Sequence, residues 1–323
     1  MSDTVSNSAP SPRTVVIAGG NGGLGRRVAD DLAARGIDIA ILTRTIDVRS
    51  PHRQVLWDGR GQGDWAAALD TGTPTAVINL AGRLVDCRPT AANIAELRRS
   101  RVEPTRALVE AARGLRTPLT HWIQASTTAI WSDAGETWCT EDTPVPEGLP
   151  QMTGVAAPWE AAADDAPCDH VVVLRTSIVL DPGSPALQRL TRLVRVGLGG
   201  RVAGGRQWVS WIHIDDWLAV VRAGLGLDPE ITLPSGVVIA ATDHPVRNAE
   251  LMATLRRLLH RPPAPPTPTF LLRLGAVVLR SDAQLGLTGR RARSTVLRDA
   301  GFRFAHPDLD GALADVLGAG RRG

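Results

Sequence analysis

The sequence predicts an α/β fold, a Rossmann-type doubly wound parallel sheet with a small C-terminal helical region on the substrate side. Three observations carry this. An apolar run at 15–18 passes straight into Gly19-Gly-Asn-Gly-Gly-Leu-Gly25 and then into a segment of helical period. Short apolar runs go on alternating with helix-period segments, the pattern of a parallel sheet covered by helices. Apolar residues make up 43% of the 323, enough for a sizeable core.

Each element follows from local chemistry. Residues 15–18, 37–43, 76–81, 122–126, 171–176 and 237–241 are short apolar runs and read as strands. Segments 26–35 and 94–113 are polar on one face and read as crossover helices. The run Arg261-Pro-Pro-Ala-Pro-Pro-Thr-Pro268 cannot be helix or central strand, because proline lacks the N–H and fixes φ. It links a main domain, 14–260, to a C-terminal helical segment, 269–318. Residues 1–13 are polar, lack the apolar core of a signal peptide, and read as a disordered leader.

Composition excludes several classes. The formal charge is +3 with a pI near 9.3, and arginine pairs such as Arg98-Arg99 and Arg290-Arg291 are scattered, so no nucleic-acid partner is expected. The most membrane-like stretch, 270–279, is too short to span and carries Arg273, so no membrane partner is expected either. Cys87, Cys139 and Cys168 lack metal-ligand spacing and are odd in number, which points to a reducing cytoplasm and no metal.

The glycine turn is where chemistry begins. Gly19, Gly22 and Gly25, with Asn21, Gly23 and Leu24 between them, join a strand to a helix. Such glycines allow a tight turn, let backbone N–H groups approach a pyrophosphate, and let helix pack on sheet. A carboxylate at the end of the second strand would hold the ribose 2′-OH of NAD; Thr43-Arg44 stands there instead. A guanidinium suits a 2′-phosphate, so the cofactor reads as NADP(H). Asn79, Leu80, Ala81 and Gly82 end the third strand with small residues that let the backbone approach the nucleoside.

The chain contains no tyrosine, and all 36 of its Lys+Arg residues are arginine. The Tyr-x-x-x-Lys pair used by short-chain dehydrogenases is therefore absent. Other polar groups near the expected cleft are Asp133, Glu136, Glu141 and Asp142, in the loop after Ser126. His213, in a strand-like alternation, reads as a structural histidine bonded to backbone. Trp131, Trp208 and Trp211, with Arg206, are expected around a flat apolar substrate pocket.

Several stretches together resemble one family. Besides the glycine turn they are Ile78-Asn-Leu-Ala-Gly82, Ser100-Arg101, Gly197-Leu-Gly-Gly200, Gly205-Arg-Gln-Trp208, Trp211-Ile-His-Ile-Asp-Asp216, Pro245-Val-Arg-Asn248 and Ala300-Gly-Phe302. Their order is similar to that of the YfcH-like NAD(P)-dependent epimerase/dehydratase family, an atypical branch of the extended short-chain dehydrogenases. The resemblance implies a Rossmann domain, NADP(H) and a small C-terminal substrate-side region. It places Ser126, followed by Thr127 and Thr128, where a hydroxyl polarises a substrate carbonyl. Met152 and Ala156 fall in the tyrosine and lysine slots. Gly154 and Pro158 lie in the same segment, so the helix is expected to begin only near Pro158, leaving those slots without a platform.

Three functions stay open. One is an NADP(H)-dependent oxidoreductase working without the phenol on a small apolar or aromatic metabolite, with C=N or activated C=C bonds favoured over simple ketones. A second is a non-catalytic NADP(H)-binding sensor. A third is a redox-neutral cyclase or lyase on the same scaffold. Oligomeric state is left open.

Overall fold

The computed structural model describes residues 10–147, 152–278 and 280–318. In chain order, β1 (Thr14–Ala18), α1 (Gly23–Ala33), β2 (Asp38–Thr43), β3 (Arg53–Leu56) and β4 (Thr75–Asn79) lead to the long α2 (Ala91–Arg113) and β5 (Leu119–Thr127). Then come β6 (Trp138–Cys139), α3 (Met152–Ala161), β7 (Cys168–Thr176), β8 (Ile178–Leu180), α4 (Pro185–Arg195), β9 (Trp208–Val209), β10 (Trp211–His213), α5 (Ile214–Gly224) and β11 (Gly236–Ala240). The remainder is β12 (Val246–Arg247), α6 (Asn248–Leu258), α7 (Thr269–Val278), α8 (Gln284–Leu287), β13 (Arg291–Ala292), α9 (Thr295–Asp299) and α10 (Leu309–Val316).

Seven strands form one sheet in the order β11-β7-β5-β4-β1-β2-β3, with every pairing parallel. This is the Rossmann-type α/β architecture. The strands are continuous apolar runs because both faces are covered. Val15, Ile17, Ile39 and Ile41 point into one core with α1 and α5; Val16, Ala18, Ala40 and Leu42 point into the opposite core with α2. A third core joins α4, α6 and α10 around Trp211 and Leu180. Among the described residues no helix is long and apolar enough to cross a membrane.

Three expectations are revised. Residues 1–9 lie outside the described residues, but the end of the expected leader is tied to the domain. Pro12 is buried, Arg13 N–H donates to Pro74 O at 2.8 Å, and the Ser11 hydroxyl donates to Gly226 O at 3.0 Å. Strand β3 has no counterpart in the predicted set; as a four-residue edge strand with half-exposed side chains it lacks the apolar signature.

The third revision matters for function. α3 begins at Met152 and carries Pro158 inside it. A helical proline leaves the carbonyl four residues earlier without its N–H partner, a cost of about 3 kcal/mol in a helix interior. Here that carbonyl belongs to Gly154, and Arg98 Nε, reaching over from α2, donates to it at 2.9 Å. The helix continues through the proline, and Met152, Ala156 and Glu160 share one face.

His121 on β5 stands opposite His170 on β7, with ring centroids 5.2 Å apart. Burial, then the neighbouring His170, holds His121 down at about 4, and burial lowers His170 as well. Unfolded histidines bind a proton near pH 6.5, at about their ordinary value. Folded His121 stays neutral well below that, so stability present above the unfolded value is lost as pH falls toward the folded one. The Tm is expected to drop between about pH 7 and about pH 5, and to drop less in His121→Gln. Identical pH slopes for the two proteins would show that His121 does not contribute.

Candidate dinucleotide and active site

The turn from β1 to α1 demands its glycines. Gly19 has φ +78°, and a Cβ there would stand 2.9 Å from Leu80 O. At Gly25 a Cβ would be 2.6 Å from Gly19 O, which is how closely α1 packs on the strand end. Gly22 is the N-cap of α1 and offers no side chain, and the first turn holds no acid. The amides of Gly23, Leu24 and Gly25 therefore have no intrahelical acceptor and face outward at the positive end of the helix dipole, a cradle for an anion. These residues fit a pyrophosphate.

At the end of β2, Asn21 ties the turn to the sheet by donating to Thr43 Oγ1 at 3.0 Å and Gln54 Oε1 at 2.9 Å. Arg44, next along the chain, is exposed and has no carboxylate partner among the described residues. Arg26 differs, being paired with Asp47 at 3.2 Å.

Asn79 acts from beneath. It is buried, donates to Thr105 Oγ1 (2.8 Å) and Gln124 Oε1 (3.0 Å), and accepts the Ala81 N–H at 3.1 Å, so it shapes the Leu80–Gly82 backbone. Gly82 is small because Arg101 lies against it; a Cβ there would meet the guanidinium at 3.1 Å. Arg101 is a buried cation with no carboxylate partner among the described residues. It donates to Leu97 O and Arg83 O and stacks over Trp159 at 5.0 Å. Burial lowers its pKa to about 10, which leaves it charged at neutral pH.

The strand ends of β5 and β7 meet α3 through a network that inspection of the sequence missed. Ser126, only 6% exposed, donates its proton to Glu160 Oε1, and Arg175 grips the same carboxylate with Nε at 2.9 Å and Nη2 at 2.8 Å. The Trp131 ring lies 5.0 Å from the guanidinium carbon, and Arg175 Nη1 is buried with no partner among the described residues. Thr127 differs from Ser126: its hydroxyl accepts the Ala129 N–H at 3.1 Å, and its own proton has no acceptor among the described residues. Thr128 is buried in the 3-10 turn that follows. The one advance signal for Glu160 was its spacing, four residues beyond Ala156.

The expected pocket residues divide. Trp211 is 1% exposed, donates to His244 O at 2.9 Å and belongs to the third core, so it lines no cleft. Trp131 is buried as well, its Nε1 donating to Thr143 O at 3.1 Å. Trp208 is half-buried: its indole N–H donates to Glu136 at 3.0 Å, and Arg247 stacks on its ring at 3.7 Å. Those hydrogen bonds, from Arg247 first and then Trp208, hold the Glu136 carboxyl below its usual range. Arg206 is exposed beside it in sequence. Asp133 and Glu141 are taken up by backbone donors of the C-terminal segment, Gly289 N–H (3.1 Å) and Thr295 N–H (2.9 Å).

His213 is the N-cap of α5, its Nδ1 accepting the Asp215 N–H at 3.2 Å. That bond leaves the neutral ring's proton on Nε2, the atom 3.2 Å from Asp315 Oδ2. His213, Asp215, His306 and Asp315 gather closely, but His213 cannot lend Nε2 to a metal while it caps the helix.

A glycine cradle with free helix amides, at the ligand end of a parallel sheet, agrees with a family match. Residues 15–226 match the NAD dependent epimerase/dehydratase family, and residues 267–316 match a domain of unknown function, DUF1731. The chain belongs to the NAD-dependent epimerase/dehydratase family. Within it, the chain is similar to the epimerase family protein SDR39U1 of Bos taurus (29% identical, covering 94% of this chain and 99% of that protein). It is also 30% identical to the Mycobacterium tuberculosis epimerase family protein MT2273, over 93% and 96% of the two chains. The crystal structure of human SDR39U1 with NADPH superposes with a TM-score of 0.80 at 26% identity, covering 94% of this chain and 98% of that one.

Two substitutions probe this geometry. Gly22→Val puts a side chain where the pyrophosphate would lie, 3.2 Å from Gly19 O at its Cβ, a contact a small shift relieves. It is expected to leave the circular dichroism spectrum unchanged and to weaken dinucleotide binding at least tenfold; unchanged affinity would reduce the motif to a turn. Glu160→Ala strands Arg175 as an unpaired buried cation and is expected to cost about 3–5 kcal/mol in urea unfolding. A cost under about 1 kcal/mol, the level of an exposed pair, would mean the contact is solvated.

Proposed function

We propose that the protein is an NADP(H)-dependent oxidoreductase that works without a phenol, on a small apolar or aromatic metabolite. The observation that carries this reading is α3. It packs against the end of β5, as the helix bearing a tyrosine–lysine pair does, yet presents Met152 and Ala156 on that face. Arg44, exposed and unpaired among the described residues at the end of β2, supports a 2′-phosphate, and the similar human protein was solved with NADPH.

Bound NADPH supplies a hydride; the chain supplies position and charge. Thr127, anchored by the Ala129 N–H and with no acceptor for its own proton among the described residues, is the hydroxyl we assign to the reacting atom. Ser126, whose proton goes to Glu160, holds β5 against α3. Neither replaces an acid that can protonate an alkoxide, and such an acid is commonly worth about 10²–10⁴-fold. A substrate that is already cationic, such as an iminium, needs no such donor, and a conjugated alkene is protonated by water after hydride addition. C=N and activated C=C bonds are thus favoured over simple ketones. The commitment of Ser126 to Glu160 also favours a second reading, a non-catalytic NADP(H)-binding protein.

Calorimetry tests the cofactor: NADPH is expected to bind at least tenfold tighter than NADH, and Arg44→Ala to erase most of the difference. Equal affinities in the unaltered protein would overturn the assignment. Consumption of NADPH is expected with cyclic imines or enones and not with unactivated ketones. With an enone, Thr127→Val removes a hydrogen-bond donor to the developing enolate oxygen and should lower kcat by about 10²-fold, whereas Ser126→Ala should act mainly on Tm. Fast reduction of plain ketones would refute the proposal, and silence with every class would favour the binding-protein reading.

A further inference from the structure

Within the apolar stretch that is too short to span a bilayer, the described residues 270–277 lie largely on the surface. On α7, Phe270 is 68% exposed, and Leu274 and Val277 stand out on the same face at helical spacing. Just past the end of α4, Val196 is 70% exposed, and Leu198 is exposed too. Hydrogen bonds connect the segments around the two helices at two places. Beyond α4, Ala203 N–H donates to Thr267 O at 2.9 Å, just before α7 begins. At the other end, Asp86 accepts from Arg189 of α4 and from Ser281 after α7, while Arg88 donates to Val277 O at 2.9 Å. Leu84, on the same loop leading from Gly82, is exposed too.

Charge sets these two segments apart. Neither 183–214 nor 251–281 contains an aspartate or glutamate, in a chain whose formal charge is only +3. Arg192, Arg195, Arg201, Arg273 and Arg280 are exposed there without a carboxylate partner among the described residues. Exposed aliphatic and aromatic side chains fringed by cations are the composition of a surface that lies in the headgroup layer of a bilayer. We propose that α4 and α7 form a docking surface for an anionic phospholipid membrane, with Phe270, Leu274 and Val196 entering the interface and the arginines meeting lipid phosphates. A second copy is the poorer occupant, since a two-fold interface would set the same unpaired arginines against each other. Nucleic acid would engage the arginines but has no use for the apolar row.

The full chain, saturated with NADPH, is floated with vesicles of phosphatidylcholine alone and of phosphatidylcholine with about 30% phosphatidylglycerol. Binding is expected only to the anionic vesicles and to weaken at high salt. Phe270→Ser with Leu274→Ser should lower the partition coefficient at least tenfold. Arg192→Gln combined with Arg195→Gln and Arg273→Gln should lower it by about 10²-fold, as three interfacial cations predict. NADPH affinity, unchanged in both variants, reports that they fold. The proposal is overturned if the unaltered protein ignores anionic vesicles at low salt, if both variants bind as well as it does, or if Leu274→Ser instead breaks a dimer that had no lipid affinity.

Discussion

Glu160 and Arg175 meet where there is little water, and the geometry of the active site hangs on that contact. Each charge removed from solvent costs several kcal/mol unless its partner is well placed. Here the placement is good: two parallel hydrogen bonds join guanidinium to carboxylate, the Trp131 ring lies beside the cation, and Ser126 donates to the same carboxylate. Three elements, α3, β5 and β7, are fixed to one another at the end of the sheet where open α/β folds bind ligands. Met152 and Ala156 are held there by consequence, since they share a helical face with Glu160.

The site that results is rich in fixed cations and hydroxyls and poor in groups that exchange protons near neutral pH. Arg101 stays charged, whereas a buried lysine shifts readily toward neutrality. An all-arginine chain can bind, orient and polarise anionic or oxygenated groups, but its cations do not relay protons. That division of labour suits a cofactor that brings its own hydride, and it places the chemical burden on the choice of substrate.

Much of this was legible in the sequence. Val15–Ala18 could only be a strand covered on both faces, Gly19 takes the left-handed turn that follows it, and Gly25 answers contacts made within a single βα unit. Thr43-Arg44 marks a strand end by position alone, and His213 in its alternating run proved to be a backbone-bonded cap. These features depend on neighbours in the chain, so local rules reach them.

Other features depend on partners that the chain does not announce. The helix should have begun only near Pro158, yet it starts at Met152 and runs through the proline because Arg98, 56 residues before Gly154, supplies the missing hydrogen bond. Trp211 looked like a pocket wall and became core, because α4, α6 and α10 close over it. Glu160 and Arg175 are unremarkable in their own segments; only the pairing of α3 with β7 turns them into one group. The sequence by itself determined six of the seven strands of the main sheet, the glycine cradle, the arginine after β2 and the absence of tyrosine and lysine, because these rest on residue identity and short-range sterics. Tertiary structure alone decided which hydroxyl keeps its proton, which cations are buried without a counter-charge and which helix faces stay bare, because desolvation and hydrogen-bond satisfaction are settled by what packs against a group from far along the chain.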